Sequence, residues 1–281
     1  MISQNFDYSA PTSLKAALAL LADGNAKVLA GGMSLIPLMK LRLATPEKLV
    51  DMGRVPGLDG ILQAPDGIHI GAMITHYQIE SSPVLRAHCP LLAETAAHIG
   101  DVQVRNMGTI GGSVAHCDPA ADYPAALFAL EAQVRMASAR GERTVSIGDF
   151  LVDTFTTALE PGEIVTEVIV PVEVSGSGVS YQKMHQLASG FAMVGAAVRV
   201  ARGNGGIGFV RVGITGLASK AYRATKVESI FESTGDVDTA AAAVADGVEA
   251  NSDLNASAHY RSEMARVYTA RALRQALARA S

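Results

Sequence analysis

The sequence predicts an α+β fold, and three observations carry that reading. Short amphipathic helices alternate with short apolar strands as far as Val170. The composition changes at Ser175-Gly176-Ser177-Gly178. Beyond that point, two apolar runs joined by a glycine-rich turn lead into an alanine-rich helical end.

In chain order, Ser13 to Leu21 is a helix with Leu14, Leu18 and Leu21 on one face, Thr12 or Ser13 as N-cap and Gly24 as terminator. The strand Val28-Leu29-Ala30 runs straight into a tight loop at Gly31-Gly32, and the chain continues through Leu35 to Arg42. Leu49-Val50-Asp51-Met52 is the next strand, and Arg54-Val55-Pro56-Gly57 breaks the pattern as a subdomain boundary. Ile68 to Ala72 is a strand. Thr75-His76-Tyr77-Gln78 is a capping box that opens a helix near Ile79, and a second helix covers Leu91 to Ile99. The glycine-rich stretch from Gly108 to Pro124 leads into a helical run, Ala125 to Leu130, with Asp122 placed as its cap. Strands near Val134-Arg135-Met136 and Arg143-Thr144-Val145 precede a helix that Asp149 caps, and the β-branched strand Ile164 to Val170 is ended by Pro171.

In the second part, strands Ala192 to Ala201 and Ile207 to Thr215 form a hairpin across Arg202-Gly203-Asn204-Gly205-Gly206. A long helix then runs from Ala258 to Ala278. The expected units are residues 1–176, divided at 55/56, and residues 177–281, with no internal repeats.

At 281 residues the chain is long enough for two or three compact units and needs no metal or crosslink to hold them. A net charge of -4 with 18% charged residues offers no broad basic surface for nucleic acid. The start, Met1 to Asp7, lacks a basic segment followed by an apolar one, and no apolar run approaches membrane-spanning length, so a cytoplasmic location is expected. Cys89 and Cys117 are the two cysteines, whereas an ordinary iron-sulfur cluster takes four thiolates. Any such cluster sits on another chain.

The chemistry concentrates in two Gly-Gly loops, Ala30-Gly31-Gly32-Met33-Ser34-Leu35 and Thr109-Ile110-Gly111-Gly112-Ser113. Glycine lets backbone N–H groups approach a diphosphate without a Cβ in the way, and successive N–H groups in a turn form an anion-binding concavity. Ser34, Thr109 and Ser113 add hydroxyl donors without charge. Most lone Gly-Gly pairs are simply turns, and neither loop has the glycine-lysine pattern of a nucleoside triphosphatase or the three-glycine pattern of a Rossmann unit. His116 and Asp118 read as loop props with no triad or ligand spacing, Cys117 as a small packing residue, and Arg105 either offsets phosphate charge or caps the preceding helix.

The stretch Ala30 to Arg42 resembles the first FAD loop of the medium subunit family of carbon monoxide dehydrogenase, xanthine dehydrogenase and related molybdenum hydroxylases. Arg105 to Ser113, continuing through His116-Cys117-Asp118-Pro119 to Pro124, is similar to that family's second loop. Asp253 to Arg261 and Arg271-Ala272-Leu273 resemble a recurring pattern near its C-terminus. The resemblance spans essentially the whole chain. It implies that residues 1–176 form an FAD-binding domain of the vanillyl-alcohol-oxidase (PCMH) type in two subdomains, and that residues 177–281 close over the isoalloxazine. By position it places Ala30 to Leu35 and Thr109 to Ser113 on the pyrophosphate, Asp122 in the FAD site, backbone contacts at Ile164 or Val165, and Lys183 near the flavin. Phe191 falls where some members have a tyrosine over the ring, and Ser113 where related chains often carry Asp or Asn.

The same resemblance implies an electron relay. FAD on this chain collects electrons from 2Fe-2S clusters on a small subunit and passes them to an external acceptor, while a large subunit carries the molybdenum cofactor, in a dimer of heterotrimers. No catalytic base or metal ligand is expected here. A stand-alone FAD oxidase, and a binding protein of the same fold that has lost its flavin, are the rival readings.

Overall fold

The computed structural model describes residues 2–22, 24–203 and 206–281. The chain begins with β1 (Asp7–Ser9), α1 (Leu14–Leu21), β2 (Ala26–Leu29), α2 (Leu35–Lys40) and β3 (Lys48–Asp51). The strands form a parallel sheet in the order β1-β3-β2, which requires the helical crossovers the sequence supplies. Ser13 is extended and its hydroxyl accepts the N–H of Ala16, starting α1, whose Ala17, Leu18 and Leu21 bury against Val50 and Met52. Sequence periodicity missed α2. Pro37 occupies its first turn, where a missing N–H costs no intrahelical bond, so the proline does not interrupt it.

The second region contains β4 (Ile61–Ala64), β5 (Gly67–Gly71), α3 (His76–Ser81), α4 (Pro83–His88), α5 (Pro90–Ala97), α6 (Val102–Met107), α7 (Ile110–His116), α8 (Tyr123–Ala129), β6 (Gln133–Ser138), β7 (Gly141–Ser146), α9 (Ile147–Phe150), β8 (Leu151–Asp153), β9 (Thr156–Thr157) and β10 (Ile164–Val170). Its antiparallel sheet runs β4-β5-β10-β6-β7. Ile68, Ile70, Val134 and Val168 of the sheet pack on Leu91, Leu92, Ile110 and Leu127 of the helices. Each such burial contributes roughly 1.5–3 kcal/mol. The expected capping box at Thr75 is present, with Gln78 bonding back to the Thr75 N–H. Two expected caps are corrected. Ser146, not Asp149, caps α9 by accepting the Asp149 N–H. Asp122 precedes α8 in helical conformation without capping it, because its carboxylate is engaged elsewhere.

The C-terminal sheet is β11 (Gly178–His185), β12 (Ala192–Gly203), β13 (Gly206–Thr215) and β14 (Tyr222–Arg223), antiparallel in that order, followed by α10 (Thr225–Thr234), α11 (Val237–Ala242) and α12 (Ala258–Arg279). The Asn204-Gly205 tip of the expected hairpin turn lies outside the described residues. Both faces of this sheet are covered. Val194, Ala196, Val198 and Val200 pack with Phe231, Leu273 and Ala276 on one side, while Val179, Tyr181 and Ala197 join the core of the second region on the other. The joins are close at two glycines. A Cβ at Gly213 would lie 1.9 Å from the Ala125 carbonyl oxygen, and one at Gly178 would lie 1.9 Å from that of Ala276.

Candidate functional site

The first loop leaves β2 and enters α2 through Gly32, which is left-handed at φ +72°. The N–H groups of Gly31, Gly32, Met33, Ser34 and Leu35 donate to no acceptor among the described residues, whereas Ile36 N–H already bonds the Gly32 carbonyl. Consecutive free amides beside a left-handed glycine form a nest with no built-in negative partner.

The second Gly-Gly differs from expectation. Expected as a loop, it lies in the first turn of α7, with Thr109 as the N-cap accepting the Gly112 N–H at 3.1 Å. Ile110 and Gly111 spend their N–H groups on the carbonyls of Ile74 and Ala72, both at 3.0 Å, and Ser113 N–H bonds the Thr109 carbonyl. Gly111 is therefore a packing glycine: a Cβ there would stand 2.5 Å from Ala72 Cβ and 2.7 Å from its carbonyl oxygen. What this segment offers a ligand is the hydroxyls of Thr109 and Ser113 and the bare Cα of Gly112.

The two segments abut. A Cβ on Gly31 would fall 1.9 Å from the Met107 carbonyl oxygen and 2.8 Å from Gly108 Cα, and one on Gly112 would be 3.7 Å from Ala30 Cβ. The structure thus joins Ala30–Leu35 to Thr109–Ser113 side by side. Behind them sits His76, a residue that sequence reasoning did not single out. It is buried, its Nδ1 is 3.2 Å from the Tyr123 hydroxyl, and a Cβ at Gly108 would meet its Nε2 at 2.5 Å. Burial, reinforced by Arg105, lowers the His76 pKa to about 4, so the ring is neutral. Arg105 holds Glu80 at 2.9 Å and donates to the carbonyls of Ile99 and Gly100.

Asp122 and Lys183, far apart in sequence, meet in a buried ion pair. Lys183 Nζ lies 2.8 and 3.0 Å from the two Asp122 oxygens, donating to Oδ2, and donates to the His98 carbonyl at 2.9 Å. Their side chains are 5% and 2% exposed, so Lys183 is not a solvated surface lysine. Burial pushes the Asp122 carboxyl up, against the opposite pull of Lys183 and the Tyr181 hydroxyl. Tyr181 also escaped sequence reasoning.

Ile164 and Val165 pair with Ala137 and Met136 of β6, and their other edge is left by β5, which ends at Gly71 opposite Glu167. Ala72, directly beyond, ties this edge to the second loop by donating to the Thr166 carbonyl and accepting from Gly111. Phe191 stands half-exposed on the turn between β11 and β12, whose Gly190 rests near Gly100. His116 stacks on Phe155 at 5.0 Å, Asp118 accepts the Ala120 N–H, and Cys117 is a buried free thiol. Among the described residues no helix is long and apolar enough to cross a membrane.

A left-handed nest of free amides, faced by uncharged hydroxyls across a backbone-to-backbone contact, defines a protein built to bind an anionic group through its backbone. Comparison with known proteins gives the class its particulars. Residues 4–173 match the FAD binding domain in molybdopterin dehydrogenase, and residues 179–276 match the CO dehydrogenase flavoprotein C-terminal domain. The carbon monoxide dehydrogenase medium chain of Hydrogenophaga pseudoflava is 39% identical over 99% of both chains. The 6-hydroxypseudooxynicotine dehydrogenase complex subunit alpha of Paenarthrobacter nicotinovorans is 39% identical over 98% of this chain and 96% of its own. A solved structure of carbon monoxide dehydrogenase from Hydrogenophaga pseudoflava, lacking the Mo-pyranopterin moiety of the molybdenum cofactor, superposes with a TM-score of 0.97 at 40% identity over the whole of both chains. The chain belongs to the family of FAD-binding medium subunits of carbon monoxide dehydrogenase-type molybdenum hydroxylases, and FAD is its cofactor.

Proposed function

We propose that this chain is the electron-exit subunit of a cytoplasmic molybdenum hydroxylase. It would take electrons from 2Fe-2S clusters on a small subunit and pass them to an external acceptor, beside a large subunit that carries the molybdenum cofactor, in a dimer of heterotrimers. The observation that carries the reading is the free amide nest of Gly31–Leu35 pressed against Met107–Gly108. When bound, FAD supplies both one-electron and two-electron redox chemistry. The protein's part is to hold and tune it.

In this reading, Ala30 lines the pyrophosphate, Gly31 to Leu35 donate backbone N–H groups to it, and Thr109 and Ser113 add hydroxyls across from them. Ile110, Gly111 and Gly112 keep that wall close. Ile164 and Val165 offer the open edge of β10, Asp122 and Lys183 form the polar back of the flavin cleft, and Phe191 packs at its mouth. The site lies where units 1–176 and 177–281 join, and the first unit divides near residue 55. Two relatives of equal identity are named for carbon monoxide and for 6-hydroxypseudooxynicotine, so overall likeness does not select the substrate.

The visible spectrum of the purified protein and its co-purifying chains test this reading. Flavin bands together with larger and smaller partners are expected. A flavin-containing protein that stays alone and oxidises an organic substrate would establish the stand-alone oxidase instead, and absence of flavin after FAD addition would leave only a binding protein.

A further inference from the structure

We propose that Tyr181 is a positioning residue of the flavin site: its hydroxyl fixes the Asp122 carboxylate as the counter-ion of Lys183, so that the C-terminal sheet sets the charge the flavin meets. The inference rests on the reading that Asp122 and Lys183 back the flavin cleft.

Four contacts hold Tyr181 in place. Its side chain is completely buried, and its hydroxyl donates to Asp122 Oδ1 at 2.6 Å. Its ring meets the His98 ring edge-on at 5.6 Å between centroids. Its N–H donates to Glu94 Oε1 at 2.9 Å, and the other oxygen of Glu94 is held by Arg279 at 2.6 Å. Gly195 lies across the ladder from Lys183, where a Cβ would stand 2.5 Å from the Tyr181 hydroxyl. Only glycine leaves the hydroxyl its place.

The backbone of Asp122 is secured separately. Ala192 N–H bonds the Ala120 carbonyl, Gly216 N–H bonds that of Pro119, and the Thr215 hydroxyl donates to those of Pro119 and Ala121. Arg261, in the motif near the C-terminus, grips the same strand ends through the carbonyls of Met193 and Gly216. Removing the Tyr181 hydroxyl therefore changes the environment of the carboxylate and leaves its position in the chain. A buried carboxylate that accepts one hydrogen bond fewer is easier to protonate. Once protonated, it leaves Lys183 an uncompensated cation, which favours a reduced, more negative flavin.

The charged and titratable groups that face Asp122 are Lys183 and Tyr181 of β11, His98 at the end of α5, Tyr123 of α8 and, through Tyr123, Glu80 of α3.

The test uses full-length protein as isolated, with Tyr181→Phe, Gly195→Ala and Lys183→Met. The midpoint potential of the bound flavin is followed across about pH 5 to 8. In Tyr181→Phe the potential should shift upward relative to wild type, by an amount that grows as the pH falls, and Gly195→Ala should move it the same way. Lys183→Met should shift it downward. A second readout needs no flavin: acidification should narrow the melting-temperature gap between apo Tyr181→Phe and apo wild type, because a carboxyl with a raised folded-state pKa stabilises the protein below that pKa. If Lys183→Met leaves the potential unchanged, the placement of the pair beside the flavin fails. If Lys183→Met moves it while Tyr181→Phe and Gly195→Ala follow wild type at every pH, the role given to Tyr181 is overturned and the site reading stands. If Tyr181→Phe does not fold, Gly195→Ala decides.

Discussion

Gly31→Ala is the sharpest perturbation of the proposed cofactor site. The added methyl would sit 1.9 Å from the Met107 carbonyl oxygen, 2.6 Å from the carbonyl carbon and 2.8 Å from Gly108 Cα. Cβ contacts under 3.0 Å are essentially never seen, so the two segments must part by at least about 1.1 Å at the oxygen. All three neighbours are backbone, and no side-chain rotation relieves the clash. Overpacking of this kind costs about 3 kcal/mol. Taken from flavin binding alone, that weakens FAD roughly a hundredfold. Gly32→Ala is the control, because its methyl meets only the movable end of Ile36 at 2.6 Å and adds left-handed strain of about 1–2 kcal/mol. The assay is flavin absorbance per chain after desalting, with an FAD titration and a thermal melt on the same samples. Gly31→Ala should emerge nearly flavin-free and Gly32→Ala only partly depleted. If Gly31→Ala keeps a full complement of flavin and melts like wild type, the close approach of the two segments is wrong.

Gly111→Ala should lower the melting temperature of the apo protein as well as the holo form, since its methyl collides with Ala72 and not with cofactor space; equal apo stability would contradict that packing. Stability should fall as pH drops from about 6.5 towards 4, because the unfolded chain protonates His76 while the buried native ring resists. The loss is about 3 kcal/mol, and it should be absent in His76→Gln. His69, raised by Asp66 and Glu167, slopes the other way, so the readout is the difference between variant and wild type in urea unfolding at each pH. Arg199→Met alone should cost about 3–5 kcal/mol by stranding Glu173, and Arg199→Met with Glu173→Met far less; equal losses would mean the pair is not coupled.

Local chemistry was legible where the deciding partners are close in sequence. Ser13 before an apolar face gives α1, Thr75 and Gln78 give the start of α3, and Pro171 ends β10. The second Gly-Gly misled because glycine is a poor helix former; two glycines in the first turn of α7 are tolerated for the contact with Ala72, which no local pattern announces. The strand β11 escapes the sequence pattern because Ser180, Gln182, Lys183 and His185 blur its alternation, and the first three make sense only once Gln275 and Asp122 are in place to meet them. Asp122 beside a helix start reads as a cap. Its partners Tyr181 and Lys183 are 59 and 61 residues away, and only the folded sheet brings them to it.

That separation also bears on when the site comes into being. On a growing chain both Gly-Gly segments are synthesised early, yet the counter-charge, hydroxyl and strand ends that lock residues 119–122 arrive only with the C-terminal sheet, and Arg261 and Arg279 come almost last. Contacts closed over such long loops form late in folding. Flavin capture is then a checkpoint on completeness: a chain cut just after Pro171 keeps both Gly-Gly segments and still lacks the Tyr181 and Lys183 that meet Asp122. On the proposed function, a truncated chain would meet its partner subunits without cofactor.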